Sequence, residues 1–179
     1  MRRTPGIGAV FLLALGGWLL VHSWIDGGGS ADNSSAAPAE HSVRARVVRV
    51  VDGDTIVASV DGADAYVRYI GVDTPETVKP GTPVQCFGKR ASAENHHLVE
   101  GRTVRLVFDR ERRDDYGRLL AYVYTAAAGG GHSRFVNATL VRDGYARTLT
   151  IPPNTAHAPL FDRLEARAGQ SGRGLWGSC

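Results

Sequence analysis

Hydrophobic and polar residues alternate along several short stretches between residues 43 and 124, and these stretches are rich in β-branched and aromatic residues. Alternation with a period of two predicts β-strands, here at 43–50, 55–60, 65–72, 102–108 and 119–124. Apolar residues at helical spacing predict helices at 88–100, 137–143 and 158–168. The chain is therefore predicted to be an α+β protein, a small five-stranded β-barrel with about three helices.

An uncharged apolar stretch from Ile7 to Ile25 precedes this domain and follows Arg2 and Arg3. Its 19 residues are near the minimum for a membrane helix and long for the core of a signal peptide. Two interpretations stay open for residues 1–25: an uncleaved membrane anchor, or a signal peptide that is removed. The arginine pair predicts an extracytoplasmic domain, anchored to the membrane or secreted.

Residues 26–40 consist mainly of Gly, Ser, Ala, Asn and Pro. Such a segment cannot bury enough apolar surface to fold and predicts a flexible linker. The predicted organisation is an N-terminal hydrophobic helix at 1–25, a linker at 26–40 and one globular domain at 41–179.

The third predicted strand runs directly into Asp73-Thr74-Pro75-Glu76. Because proline cannot donate to a sheet and restrains the residue before it, the strand should end on a rigid turn that carries two carboxylates. The period of two places Arg68, Ile70 and Val72 on one face, with Ile70 and Val72 expected in the core. Arg68 then needs a partner, either a salt bridge or a bound anion.

Two further polar turns supply similar side chains. Asp52-Gly53-Asp54-Thr55 joins the first two predicted strands, and Asp114 to Arg118 opens the fifth. Carboxylates with carbonyls suit a hard cation such as Ca²⁺. Two guanidinium groups suit a phosphate that gains charge, and a glutamate suits the activation of water.

These ordered motifs resemble those of the thermonuclease (staphylococcal nuclease) family, with matching spacing from about residue 46 to residue 176. The resemblance also includes Phe87-Gly88, Val136-Asn137 and Leu175-Trp176. It implies an oligonucleotide-binding (OB-fold) barrel and the hydrolysis of phosphodiester bonds in DNA, RNA or both, with 3′-phosphate ends as products.

The resemblance also implies a metal site for Ca²⁺. Asp54 and Asp73 would bind the ion through their carboxylates, and Thr74 would bind it through its backbone carbonyl. Asp52 would support these ligands from behind.

The remaining implied roles concern the reacting phosphate. Glu76 would orient or deprotonate the attacking water, and Arg68 and Arg118 would bind the phosphate as its charge increases. Tyr116 would donate a hydrogen bond to the neighbouring phosphate.

Two positions depart from the family pattern. Asp115 stands where the family has a lysine, and the segment 148–152 lacks the tyrosines on which a base can stack. Base stacking contributes about 1–3 kcal/mol per base. The sequence therefore predicts a complete cleavage site with a weak grip on its substrate.

The chain has 21 Lys and Arg against 18 Asp and Glu, a formal net charge of +3. This mildly basic balance is compatible with a nucleic-acid partner and does not require one. A catalytically silent nucleic-acid-binding module is the main alternative, although such a module should lack some of the candidate catalytic residues. The domain is expected to be a monomer.

Cys86 and Cys179 are the two cysteines of the chain. An oxidising compartment outside the membrane favours a disulfide between them, with two free thiols or an intermolecular bridge as alternatives. Since neither cysteine lies near the acidic motifs in sequence, the bridge is expected to contribute stability and leave activity at low temperature intact.

Overall fold

The computed structural model describes residues 41–77, 81–125 and 133–179. The predicted hydrophobic helix at 1–25 and the predicted linker at 26–40 lie outside these ranges. None of the helices within them has the length and apolar character needed to cross a membrane.

Eight strands and four helices make up the described domain. In chain order they are β1 (Ser42–Val50), β2 (Thr55–Val60), β3 (Ala63–Tyr69), β4 (Gly71–Asp73), α1 (Gly88–Val99), β5 (Thr103–Val107), β6 (Leu119–Thr125), β7 (Arg134–Phe135), α2 (Val136–Arg142), β8 (Arg147–Leu149), α3 (Ala158–Gln170) and α4 (Leu175–Ser178).

Five of the strands, β1, β2, β3, β5 and β6, close into a barrel. Neighbouring strands follow the order β3-β2-β1-β5-β6-β7, and β3 pairs in parallel with β6 to close the sheet on itself. A register shift between Val47 and Arg49 marks an irregularity in β1, a device that helps a strand to bend around a barrel. The predicted five-stranded barrel with three helices is confirmed, and the short strands β4 and β8 form a separate ladder.

The barrel interior holds the main hydrophobic core. Alternate residues of the barrel strands point inward, as the period of two requires. Buried core side chains include Ala45, Val47, Ile56, Ala58, Val67, Tyr69, Leu106, Ala121 and Val123. Helix α1 covers this core with Leu98 and Val99, and α2 covers it with Leu140 and Val141.

The third predicted strand is divided in two, and this division separates Val72 from the face that Arg68 and Ile70 share. Val67 and Tyr69 of β3 are the residues that point into the barrel, so Arg68 faces the other way. Ile70 and Val72 are both buried as predicted, but Ile70 packs outside the barrel and Val72 lies in the barrel core, so the predicted common face does not extend to Val72. Arg68 avoids burial in the apolar core and points towards polar partners.

Gly71 is the physical reason for this division. Its φ of 78° lies in the left-handed region that favours glycine, and the alternation of β3 stops there. A Cβ at this position would lie 2.4 Å from Cε2 of Phe161, so the chain also needs glycine to pass the ring of α3. Ile70 joins Phe161 in a second, smaller apolar cluster outside the barrel.

The C-terminal residues are tied to the start of α1. Cys86 and Cys179 form a disulfide with a Cα–Cα distance of 6.0 Å and a sequence separation of 93 residues. The short helix α4, which the sequence pattern did not predict, buries Leu175 and leads to Cys179.

Candidate active site

The turn between β1 and β2 places Asp54 at the centre of the site. The Asp54 N–H donates to Asp52 Oδ1 at 3.0 Å, and the Val51 N–H donates to the Thr55 carbonyl at 2.9 Å, which closes the turn. Only 5% of Asp54 is exposed. A Cβ at Gly53 would lie 2.6 Å from Oγ1 of Thr74, so glycine lets this turn press against the turn that follows β4.

The Asp54 carboxylate is satisfied by several donors. Oδ2 accepts hydrogen bonds from the Thr74 N–H at 2.7 Å and the Thr74 hydroxyl at 2.8 Å. Oδ1 accepts one from the Thr55 hydroxyl at 3.2 Å and forms an ion pair with Arg68. These bonds satisfy the oxygens of a buried carboxylate, and they join two acidic turns that are 20 residues apart.

Arg68 connects the two predicted metal-binding carboxylates. It pairs with Asp54 through Nη1, and Nη2 donates to Asp73 Oδ1 at 3.0 Å. The Arg68 side chain is 15% exposed, whereas the Asp73 side chain is 55% exposed and open to solvent. Of the two kinds of partner expected for Arg68, a salt bridge or a bound anion, the structure shows salt bridges, with Arg68 between Asp54 and Asp73.

Glu76 is held by the loop that precedes α1. The Glu76 N–H donates to Gln85 Oε1 at 2.9 Å, and the Gln85 N–H donates to the Glu76 carbonyl at 2.9 Å. The Thr77 N–H donates to Glu76 Oε1 at 2.8 Å. Gly88 lies so close that a Cβ there would come within 3.0 Å of the Glu76 carbonyl oxygen.

Arg118 is positioned by Asp114 within one tight turn. Its Nε contacts Asp114 Oδ2 at 2.6 Å, and its N–H donates to Asp114 Oδ1 at 2.9 Å. The guanidinium carbon lies 5.4 Å from the centre of the Tyr116 ring. Tyr116 itself is 85% exposed, so its ring can contact a ligand at the surface.

Seven of the eight predicted catalytic, metal and substrate residues line a single pocket of about 210 Å³. The lining consists of Asp52, Asp54, Thr55, Arg68, Asp73, Thr74, Pro75, Glu76 and Arg118. The eighth, Tyr116, lies beside this pocket and lines its two neighbours together with Arg118. The barrel thus brings side chains from three separate turns to one place.

The charge state of Asp52 is altered by its surroundings. Burial, followed by the neighbouring Asp54 carboxylate, raises the pKa of its carboxyl from 3.8 to about 6. Asp52 shapes the turn by accepting a hydrogen bond from the Asp54 N–H.

The donors in this pocket suit a hard cation with a partly hydrated shell. Within the described ranges, no three or more His, Cys, Asp or Glu side chains group together to hold a metal ion. A cation here would take its ligands from the two carboxylates of Asp54 and Asp73, from a backbone carbonyl and from water. Ca²⁺ accepts such oxygen ligands in variable number, so the residues fit this ion.

Sequence reasoning missed three residues that hold the site in place, Gln85, Asn95 and Asp114. Asn95 is fully buried in α1, where its Nδ2 donates to the Asp52 carbonyl at 2.8 Å and its Oδ1 accepts from Tyr69 at 2.9 Å. A signal was present, because Asn95 lies four residues after Ala91 on the inward face of the helix. A polar residue at such a position indicates a buried polar partner.

Comparison with known proteins places the chain in a family. A model of the family described as Staphylococcal nuclease homologue matches residues 66–178. The thermonuclease of Staphylococcus intermedius is 41% identical over 93% of this chain and 95% of its own length. The thermonuclease of Staphylococcus hyicus is 40% identical over 73% of this chain and 74% of its own length. Endonuclease YncB of Bacillus subtilis (strain 168) is 42% identical over 72% of this chain and 59% of its own length. The chain belongs to the staphylococcal nuclease homologue family.

Proposed function

We propose that this protein is a Ca²⁺-dependent nuclease that hydrolyses phosphodiester bonds in DNA, RNA or both and leaves 3′-phosphate ends. The relatives named thermonuclease and endonuclease support the cleavage of phosphodiester bonds. The observation that carries the proposal is the single pocket shared by Asp54, Asp73, Glu76, Arg68 and Arg118.

The pocket divides its tasks between carboxylates and guanidinium groups. Asp54 and Asp73 would hold Ca²⁺ through their carboxylates and Thr74 through its backbone carbonyl, and the bound ion would supply Lewis-acid polarisation of the phosphate. Asp52 supports this turn from behind. A site built from two carboxylates and waters is expected to bind the ion weakly, in the range of extracellular modules.

Glu76 is proposed to orient the attacking water and to take its proton. The water oxygen forms a bond to phosphorus, the bond from phosphorus to the 5′-oxygen breaks, and the leaving oxygen takes a proton from solvent. The 3′-oxygen keeps the phosphate. Gln85 and Thr77 restrain the Glu76 backbone and carboxylate. The proposed base is therefore in position before the substrate binds.

Arg68 and Arg118 are proposed to bind the phosphate while its charge increases. Fixed positive charge aimed at developing negative charge is typically the largest single contribution to such a reaction, roughly 3–4 kcal/mol per donor by comparison with oxyanion holes. Asp114 holds Arg118 at the pocket wall through Nε. Tyr116 is proposed to donate a hydrogen bond to the neighbouring phosphate.

The proposed location is extracytoplasmic, with the domain anchored to the membrane or secreted. The Cys86–Cys179 disulfide supports this location, because disulfides persist in oxidising compartments. The uncharged stretch Ile7 to Ile25 supports it independently.

Incubation of the purified chain with single-stranded DNA or RNA, in Ca²⁺ or in excess chelator, tests the proposed activity. Mass spectrometry of the products identifies the ends, and 3′-phosphate with 5′-hydroxyl ends are expected. Glu76→Gln is the matched control, since it keeps the size of the side chain and removes its basicity. Binding without cleavage by the unaltered chain would instead support a silent nucleic-acid-binding module.

A further inference from the structure

A second, larger groove lies beside Arg118, on the side away from β4 and β8. It has a volume of about 830 Å³, is lined in part by Tyr116, and shares Arg118 with the active-site pocket. Strands β3 and β6 pair only over Val67–Tyr69 and Leu119–Ala121. The first half of β3 and the turn before β6 form opposite walls of the groove.

One wall carries a cluster of guanidinium groups next to the active site. Arg112 and Arg113 lie on the strand-like segment that pairs back to the start of β6, with the Leu120 N–H donating to the Arg112 carbonyl at 2.9 Å. The Arg112 guanidinium carbon lies 4.3 Å from the centre of the Phe108 ring, and Arg113 Nη1 donates to the Gly117 carbonyl at 2.5 Å. Both charges are therefore held in place and remain on the exposed rim.

The floor and the opposite wall offer apolar and aromatic surface. Val43, Val60, Leu119 and Phe108 line the groove, and Tyr66 lines it with half of its surface exposed. The Tyr66 hydroxyl accepts a hydrogen bond from Arg49 Nη2 at 3.0 Å, which restrains the ring. Such a combination of aromatic surface and fixed positive charge is typical of sites for single-stranded nucleic acid.

The charges along the groove are arranged unevenly. Arg112 and Arg113 lie beside Arg118, whereas Asp61 lies in the turn between β2 and β3 and Asp64 in the first half of β3, at the far end. A polyanion would therefore be attracted to the end of the groove that adjoins the active site and repelled at the other end. This arrangement favours a short stretch of a few nucleotides over a long track.

We propose that this groove binds the nucleotides next to the scissile phosphate of a single-stranded DNA or RNA substrate. Arg112 and Arg113 contact backbone phosphates, and the bases lie over the apolar floor and against Tyr66. A paired duplex cannot place its bases there, because its bases are stacked inside the helix. The proposal rests on the proposed nuclease function for its substrate class, and it adds a binding surface beyond the pocket that performs cleavage.

Binding measurements with the full chain carrying Glu76→Gln test the groove without cleavage. Fluorescence anisotropy in Ca²⁺ gives the affinity for a labelled dinucleotide and for an octanucleotide, each as DNA and as RNA, over a series of salt concentrations. Octanucleotides are expected to bind at least about tenfold more tightly than dinucleotides, because only the longer ligand reaches the groove. The nucleic acid that shows the larger gain is identified as the preferred substrate.

The double substitution Arg112→Ala/Arg113→Ala should remove most of this gain. Loss of two phosphate contacts to a single strand should also lower the slope of log K against log salt by about 1.4. Arg163→Ala/Arg167→Ala is the matched control, since it removes the same charge from exposed positions on α3. Thermal unfolding of both double variants checks that the barrel is intact.

The groove assignment is overturned if the two double variants lose affinity and salt slope equally, or if dinucleotides and octanucleotides bind alike. The proposed function fails separately, when the unaltered chain does not cleave in Ca²⁺. If the chain binds octanucleotides through Arg112 and Arg113 but does not cleave them, the groove proposal stands and the proposed nuclease function is rejected.

Discussion

Gln85 and Glu76 are joined by two hydrogen bonds that run in opposite directions. The Glu76 N–H donates to Gln85 Oε1, and the Gln85 N–H donates to the Glu76 carbonyl, both at 2.9 Å. The candidate base is therefore held by a residue nine positions further along the chain. The same Gln85 directly precedes Cys86, which places the disulfide one residue away from this contact.

Gln85→Ala should lower kcat by about tenfold and leave KM nearly unchanged. The side-chain bond contributes about 1 kcal/mol, and a small displacement of a catalytic group has a cost of similar size. Steady-state kinetics measure this split, and Gln170→Ala at the exposed end of α3 is the control. A variant with unchanged kcat would show that the turn holds Glu76 without Gln85.

Loss of the disulfide should reduce both stability and kcat. A bridge that closes a loop of 93 residues contributes about 4–5 kcal/mol in the chain-entropy estimate, so Cys179→Ser should lower Tm by several degrees or more. The sequence suggested a role in stability alone. Because Cys86 adjoins Gln85, we now expect kcat to fall even at temperatures where the variant is fully folded.

Calorimetry and kinetics at low temperature distinguish these two effects of the bridge. Cys179→Ser combined with Gln85→Ala should be no slower than Gln85→Ala alone, since both changes act on the same contact. Full kcat in the folded single variant would restrict the bridge to stability.

Activity should require Ca²⁺ in roughly the millimolar range and disappear in excess chelator. Mg²⁺ should support little cleavage, because it dehydrates reluctantly and prefers stricter octahedral geometry than this donor set offers. Asp54→Ala should raise the Ca²⁺ requirement and also destabilise the fold, since Arg68 and Thr74 lose their buried partner. Titration of activity with each ion checks the predicted preference for Ca²⁺ over Mg²⁺. Undiminished cleavage in excess chelator would contradict the predicted Ca²⁺ requirement.

Arg118→Ala should reduce kcat by roughly 10² or more, because a fixed donor to the transition state is removed. Arg118→Lys should recover only part of this loss, since lysine cannot keep the Nε contact with Asp114 while it reaches the phosphate. Arg68→Ala should be comparably slow. Arg163→Ala serves as the surface control, and kcat equal to that control in Arg118→Ala would remove the arginine from the mechanism.

Asp115→Lys should lower KM, most strongly at low salt. Asp115 lines the pocket that also contains Arg68 and Arg118, where a negative charge repels a passing phosphate. The same pocket presents Leu149 and Ile151 in place of stacking tyrosines. KM measured over a salt series tests this prediction. An unchanged KM would show that the loop containing Asp115 does not contact the substrate.

The sequence alone determined the class of the fold and most of the parts of the site. Alternation predicted the barrel strands because the side-chain period of a strand is a local property. The acidic turns were predicted from Asp, Gly and Pro residues between apolar runs. The ordered motifs around Asp54, Asp73 and Arg118 are sufficient to indicate the family.

Only the tertiary structure decided how those parts meet. The pairing of Arg68 with both Asp54 and Asp73, the hold of Gln85 on Glu76 and the bond from Asn95 to the Asp52 turn join residues from 5 to 43 positions apart. Such contacts depend on barrel closure between β3 and β6, and the left-handed turn at Gly71 puts Val72 in the barrel core while Ile70 packs outside it. Periodicity describes each strand separately, whereas the position of one strand against another is set by packing of the whole core.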